Sequence, residues 1–177
     1  MIALEFVSHL GWTYVLSLAR KDWRGAWKEF LFFGILPDLA FAVPMLLLFL
    51  PSAVGMAAAS FEVPEFYSVA EIYRLSHSYL TAFFAFAVVF LVLRRFYWPM
   101  LGWFLHISMD VFTHKGSMAM QMPFYPLPFS VEGFVYWSNT LFMLASWTAM
   151  ALVLLWYYTR RPRRSGRARY NKKRGSK

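Results

Sequence analysis

The stretch FLFFGILPDLAFAVPMLLLFL, Phe30 to Leu50, decides the fold. A helix that crosses a bilayer needs about 20 mostly apolar residues, with a usual range of roughly 17–25. This run has that length and a single charged residue, Asp38. A core helix of a soluble domain keeps one polar face toward water, and no such face can be drawn here.

Four more apolar runs lie around it, at about residues 2–19, 78–93, 96–113 and 135–158. The last, VYWSNTLFMLASWTAMALVLLWYY, is as secure as the first; the other three are shorter or interrupted by polar residues. The expected architecture is all-α, a multi-pass membrane protein of about five transmembrane helices forming one bundle. Residues 1–159 are read as the helical membrane domain and 160–177 as a disordered basic tail. Run 2–19 has no basic start and no small-residue cleavage site, so it is expected to be retained, not removed as a leader.

Composition agrees. Hydrophobic residues make up 59% of the chain and charged residues 15%, against about 25% charged in soluble domains. There is no cysteine, so a metal site would have to use His, Asp or Glu. The net charge of +9 is mostly local, because ten of the 18 basic residues fall within residues 160–177.

The remaining basic residues give an orientation. Arg20, Lys21, Arg24 and Lys28 lie between the first two runs, and Arg94 and Arg95 between the third and fourth. With five spans these groups share one side with the tail. That side holds 16 basic residues and the other only Arg74 and Lys115. The positive-inside rule makes the richer side cytoplasmic. The N-terminus is then outside and the C-terminus in the cytoplasm, as in a bacterial or archaeal plasma membrane. The tail is expected to attract anionic inner-leaflet lipids; nucleic acid is not the expected partner. Residues 114–134, rich in proline and aromatics, are expected to pack as a lid on the outer surface.

Ionisable groups are costly inside a bilayer and usually face a cavity or one another. Here nearly all of them belong to one chemical class, His and Asp. All four histidines, His9, His77, His106 and His114, lie in or at the end of an apolar run, and Asp38 and Asp110 are the aspartates within runs. His106, Asp110 and His114 are four residues apart, one narrow stripe on a helix. His9 lies about 10 Å below the start of its run at 1.5 Å per residue. Pro37 and Pro44 flank Asp38 and predict a break in that helix. Taken singly, a membrane histidine is a packing residue, and Asp38 is a helix cap. Taken together, the six are candidate ligands for a divalent metal, zinc above all, in one outward-facing pocket.

The ordered motifs SHL (8–10), GILPDL (34–39), RLSHS (74–78), HISMDVFTH (106–114) and FYPL (124–127) resemble the membrane-bound metal-dependent hydrolases of bacteria and archaea, also described as LexA-binding, inner-membrane-associated hydrolases. That family is similar in turn to the zinc-dependent phospholipase C and single-strand nuclease superfamily. The resemblance implies a hydrolase of phosphoesters, in a lipid or a lipid-linked head group. It implies that Asp38, His77, His106 and Asp110 hold one metal, with Asp110 reaching toward a second ion near His9 or His114. Ala40 stands where many relatives have an aspartate, IYRLSHS lacks a histidine, and no histidine follows His114, so these residues support one metal or two at most. Asp38 is the expected base as well as a ligand, Arg74 the expected cation for the phosphate, and Ser76 and Thr113 the expected supports of the ligands. Two other functions fit the same residues: a non-catalytic metal-binding or proton-relay component of a membrane complex, and a purely structural scaffold.

The orientation is testable by tagging both termini and adding protease to intact cells. The N-terminal tag should be digested and the C-terminal tag protected; a protected N-terminal tag would overturn the assignment.

Overall fold

The computed structural model describes residues 2–53, 64–115, 121–136 and 138–160. The expected disorder of the tail from residue 161 onward lies outside them. Six α-helices occur among the described residues: α1 (Ile2–Leu18), α2 (Trp27–Ala53), α3 (Pro64–Ser76), α4 (Tyr79–Leu93), α5 (Leu101–Thr113) and α6 (Thr140–Thr159). The protein is all-α, with 3-10 turns at Arg24–Ala26 and Trp98–Met100.

Three of the five expected helices start and end within about three residues of the apolar runs, and α6 begins at Thr140, five residues into the last run. The fourth run differs, because Pro99 opens a 3-10 turn and α5 begins only at Leu101. Arg94 ends α4 in the left-handed conformation at φ 54°, its N–H bonded to the Phe90 carbonyl. The expected break in α2 does not occur, and the helix runs through Pro37 and Pro44. Proline removes one intrahelical bond without preventing helical φ, and neighbouring helices hold this one in line. Helix α3 was not foreseen, since its mixed sequence has neither the length nor the apolarity of a span.

Among the described residues, two segments are long and apolar enough to cross a membrane, Arg24–Leu48 and Thr140–Thr159; Val69–Ser76 with Tyr79–Leu93, bent by 67°, makes a third if it is one broken span. Five spans is therefore corrected to two or three by this measure. Helices α1 and α5 have 17 and 13 residues. At 1.5 Å per residue they fall short of a hydrocarbon layer about 30 Å thick, and their sequence goes to a polar interior.

That interior reverses the pattern of a soluble protein. Among the described residues, seven hydrophobic side chains are buried against eleven polar or charged ones. Phe84, Val92 and Leu141 are each more than 70% exposed, and no residue of the α6 segment is buried. An exterior this apolar matches hydrocarbon and not water.

Helix α2 is the axis and contacts α1, α3 and α5. Glycines permit the closest approaches. A Cβ on Gly102 of α5 would meet the Phe30 carbonyl oxygen at 2.6 Å and the Gly34 nitrogen at 3.0 Å, and one on Gly34 would meet Thr13 of α1 at 2.4 Å. Small residues at helix crossings allow this backbone contact in membranes. Helix α6 joins through α1, where Trp12 Nε1 donates to Ser146 Oγ at 2.9 Å and Trp147 Nε1 to Ser8 Oγ at 2.8 Å.

Replacing Gly102 with alanine forces a methyl into backbone, and overpacking of this kind costs about 1–3 kcal/mol. Thermal unfolding in detergent should show that loss for Gly102→Ala. Gly25→Ala, whose Cβ would meet nothing within 4 Å, should unfold like the wild type.

Candidate metal centre

Each element delivers its ligand for a local reason. On α5 the buried residues Gly102, Trp103, His106, Ile107, Asp110 and Thr113 recur at helical spacing, so His106 and Asp110 enter the interior together. His77 sits at the corner between α3 and α4. Ser78 there caps α4, its Oγ accepting from the Leu80 N–H at 3.2 Å. Trp103 Nε1 donates to the Ser76 carbonyl at 2.7 Å and ties that corner to α5. His9 comes from α1 and Asp38 from the middle of α2.

Five of the six expected ligands converge. His77 Nε2 and His106 Nε2 lie 3.3 Å apart. Asp110 Oδ2 is 3.2 Å from the first and 3.3 Å from the second. Asp38 Oδ1 is 3.6 Å and 3.5 Å from the same two nitrogens. These are five of the six separations among four candidate ligand atoms. A tetrahedral ion with ligand bonds of about 2.0–2.1 Å spaces its ligands roughly 3.3–3.4 Å apart, close to these five; His77, His106 and Asp110 form one group that could hold an ion, and His9, Asp38 and His106 form a second. His9 stands beside them, Nε2 3.2 Å from Asp110 Oδ1 and Nδ1 3.6 Å from Asp38 Oδ2.

Hydrogen bonds fix which nitrogen of each ring faces inward. His106 Nδ1 lies 2.8 Å from the Gly34 carbonyl, and His77 Nδ1 lies 2.9 Å from the Tyr73 carbonyl. A carbonyl only accepts, so each Nδ1 carries the hydrogen, and in a neutral ring each Nε2 is left with its lone pair. Two lone pairs at 3.3 Å cannot bond each other; they need a cation between them. The charges make the same demand. Asp38 and Asp110 share their partners, and His9, His77, His106 and Asp110 are all buried. Two carboxylates bring two negative charges into a low dielectric, and a divalent ion or protons on the neighbouring imidazoles would balance them. Asp110 Oδ1 and His9 Nδ1 are buried without a hydrogen bond, and atoms of this kind are the usual mark of a missing partner.

Two expected site residues stand elsewhere. His114 is at the rim, where it caps α5; its Nδ1 lies 3.2 Å from the Asp110 carbonyl and 3.8 Å from Asp110 Oδ1. Arg74 pairs with Glu71 at the surface. Of the two expected supports, Ser76 Oγ is 3.0 Å from His77 Nδ1 and donates to the Pro37 carbonyl at 3.2 Å. Thr113 Oγ1 donates to the Met109 carbonyl at 2.9 Å and lies 3.5 Å from His114 Nδ1, so it supports the rim.

The lid is pinned beside the site. Tyr79 N–H donates to the Pro123 carbonyl at 2.7 Å, Ser78 Oγ to the Tyr125 carbonyl at 2.8 Å, and Gln121 Nε2 to Tyr73 Oη at 2.7 Å. Tyr125 hydrogen-bonds to the Glu71 carboxylate, which pushes its phenol up. Sequence inspection missed the carbonyls of Gly34 and Tyr73, which aim the histidines. It also missed Thr13 and Ser17, which continue the stripe of His9 at four-residue steps and are fully buried; that spacing could have been found.

Comparison with known proteins returns no match: no family, no curated protein and no solved structure. The resemblance to membrane-bound hydrolases therefore rests on the quoted motifs alone, and no family is identified.

An ion held here stabilises the fold through linkage, by about 2.7 kcal/mol at a free concentration of 100 times its Kd. Adding zinc to chelator-treated protein should raise its unfolding temperature in detergent and leave Asp110→Asn unmoved. Identical responses in the two proteins would show that the cluster holds no ion.

Proposed function

We propose that this chain is a membrane-bound, metal-dependent hydrolase acting on a phosphoester at the outer face of the membrane. The observation that carries the reading is the close approach of His77 Nε2 and His106 Nε2 to each other and to Asp110 Oδ2 and Asp38 Oδ1, at 3.2–3.6 Å. The motif resemblance supports the phosphoester. A divalent ion in such a site acidifies a water and polarises a phosphoryl oxygen.

The chain's own residues divide the remaining work. Asp38 is the one cluster residue with substantial exposure, 31%. It is the carboxylate that an entering water meets, and it orients that water and takes its proton. His77 and His106 keep their inner nitrogens unprotonated through carbonyl bonds on their outer ones. His9 stabilises the charge on Asp110. Arg74 reaches a phosphate only by exchanging its partner Glu71.

Packing of the basic regions supports the orientation. The Arg20 guanidinium lies 5.9 Å from the Trp98 ring and that of Arg24 5.0 Å from Tyr157. The turn before α2, the turn before α5 and the end of α6 therefore gather at one end, which we assign to the cytoplasm.

The proton-relay reading has one observation in its favour: a single proton shared between His77 and His106 would also relieve their facing nitrogens. Elemental analysis of the purified protein separates the two. The wild type should retain a divalent ion that Asp110→Ala loses, an effect larger than the roughly 10–100-fold change in affinity expected from outer-sphere substitutions. Near-zero metal in both proteins defeats the hydrolase. Metal without chelator-sensitive turnover of bis(4-nitrophenyl) phosphate or a phospholipid favours a non-catalytic role.

A further inference from the structure

Between α1, α5 and α6 lies a cavity of about 430 Å³, within the roughly 300–1,000 Å³ typical of ligand sites. Met109, Phe112, Phe142 and Met143 are among its lining residues, and so is His9. His9 also belongs to the cluster, where its Nε2 is 3.2 Å from Asp110. One imidazole thus borders both the cavity and the candidate metal centre.

The polar residues of the wall are already bonded. Ser8 accepts from Trp147, Ser146 accepts from Trp12, Ser108 pairs with Tyr79 at 2.8 Å, and Thr113 bonds the Met109 carbonyl. A water needs two to four polar partners to be held, and this wall has little left to offer one. No Asp, Glu, Lys or Arg lines the cavity, so a charged head group finds no counter-ion there. The two methionines give a wall that adapts to unbranched, flexible guests. The outer boundary is α6, a mostly apolar helix with no buried residue.

We propose that this cavity receives one hydrocarbon chain of a lipid substrate. The chain enters sideways from the bilayer between α5 and α6, while the phosphoester reaches the His/Asp cluster past His9. The inference rests on the hydrolase reading for the identity of the bound lipid as substrate, and it assigns that substrate a membrane-resident chain instead of a soluble nucleotide or sugar phosphate. Bilayer occupancy follows from where the cavity opens, and the polar end follows from where it stops.

The test uses full-length protein in nanodiscs containing phosphatidylglycerol with a mid-chain diazirine, followed by peptide mapping of the cross-links. Labelling should concentrate on residues 105–113 and 142–146. Met143→Trp fills the cavity and should cut that labelling roughly tenfold, the effect of about 1.4 kcal/mol of overpacking. Leu152→Trp, on the exposed side of α6, should leave it unchanged. Met109→Phe, from the opposite wall, should repeat the Met143→Trp result and guards against misfolding of a single variant. Even labelling along α2, α4 and α6, insensitive to either filling variant, overturns the proposal. Metal content measured on the same samples keeps the two readings apart. Concentrated labelling in a protein that binds no metal supports the chain site and defeats the hydrolase; bound metal with even labelling does the reverse.

Discussion

One hydrogen bond organises the interior: His106 Nδ1 of α5 donates to the Gly34 carbonyl of α2 at 2.8 Å. It exists because Gly102 and Gly34 let the two helices touch backbone to backbone, with Thr13 of α1 filling the third side. That contact brings Asp38, one turn beyond Gly34, toward Asp110, one turn beyond His106. The bond also consumes the outer nitrogen of the imidazole and leaves Nε2 facing His77. Crossing geometry, tautomer and the meeting of two carboxylates thus depend on one carbonyl. A larger residue at either glycine would separate the helices and dismantle all three.

The polar interior follows from the solvent. Hydrocarbon outside removes the usual reason for apolar side chains to seek the core, so buried positions are free to be polar if each polar group is matched. Ser8, Ser76, Ser78 and Gln121 are matched by Trp147, Pro37, Tyr125 and Tyr73 respectively. Against that background the unmatched atoms gain meaning. Four buried side-chain atoms among the described residues lack a hydrogen bond; Asp110 Oδ1 and His9 Nδ1 fall in one cluster, while Thr13 Oγ1 and Trp23 Nε1 stand apart from it.

Much of this was legible in the sequence. Length and apolarity located α2 and α6, since a bilayer imposes both directly. The meeting of five of the six His and Asp residues was legible because ionisable residues within the apolar runs are few and nearly all are His or Asp. Three things were not legible. The span count failed because α1 and α5 are apolar enough to resemble spans, yet too short to make the crossing by themselves. The break at Pro37 failed because tertiary contacts hold a helix through a missing hydrogen bond. His114 failed as a cluster ligand because helical spacing stops where the helix does: α5 ends at Thr113, and the His114 backbone turns away to pair with Gly133 and Tyr136.

The two aspartates also show how one residue type can hold two positions in one site. Asp110 is sealed, 2% exposed, and stands within 3.3 Å of His9, His77 and His106. Such a carboxylate stays ionised only if cations or donors surround it, and once surrounded it has no route to exchange a proton with water. Asp38 reaches the same nitrogens at longer range, 3.5–3.6 Å, and keeps 31% of its side chain exposed. Both its oxygens face cluster histidines, Oδ1 toward His77 and His106 and Oδ2 toward His9, while part of the side chain stays open. A buried carboxylate anchors, and a half-buried one exchanges. If water enters this site, it enters on the side of α2, facing the α3–α4 corner and the lid, while the hydrocarbon-lined cavity lies on the opposite side behind His9. The cluster then stands where an aqueous approach and an apolar one meet, the arrangement that the proposed cleavage of an amphiphile would need.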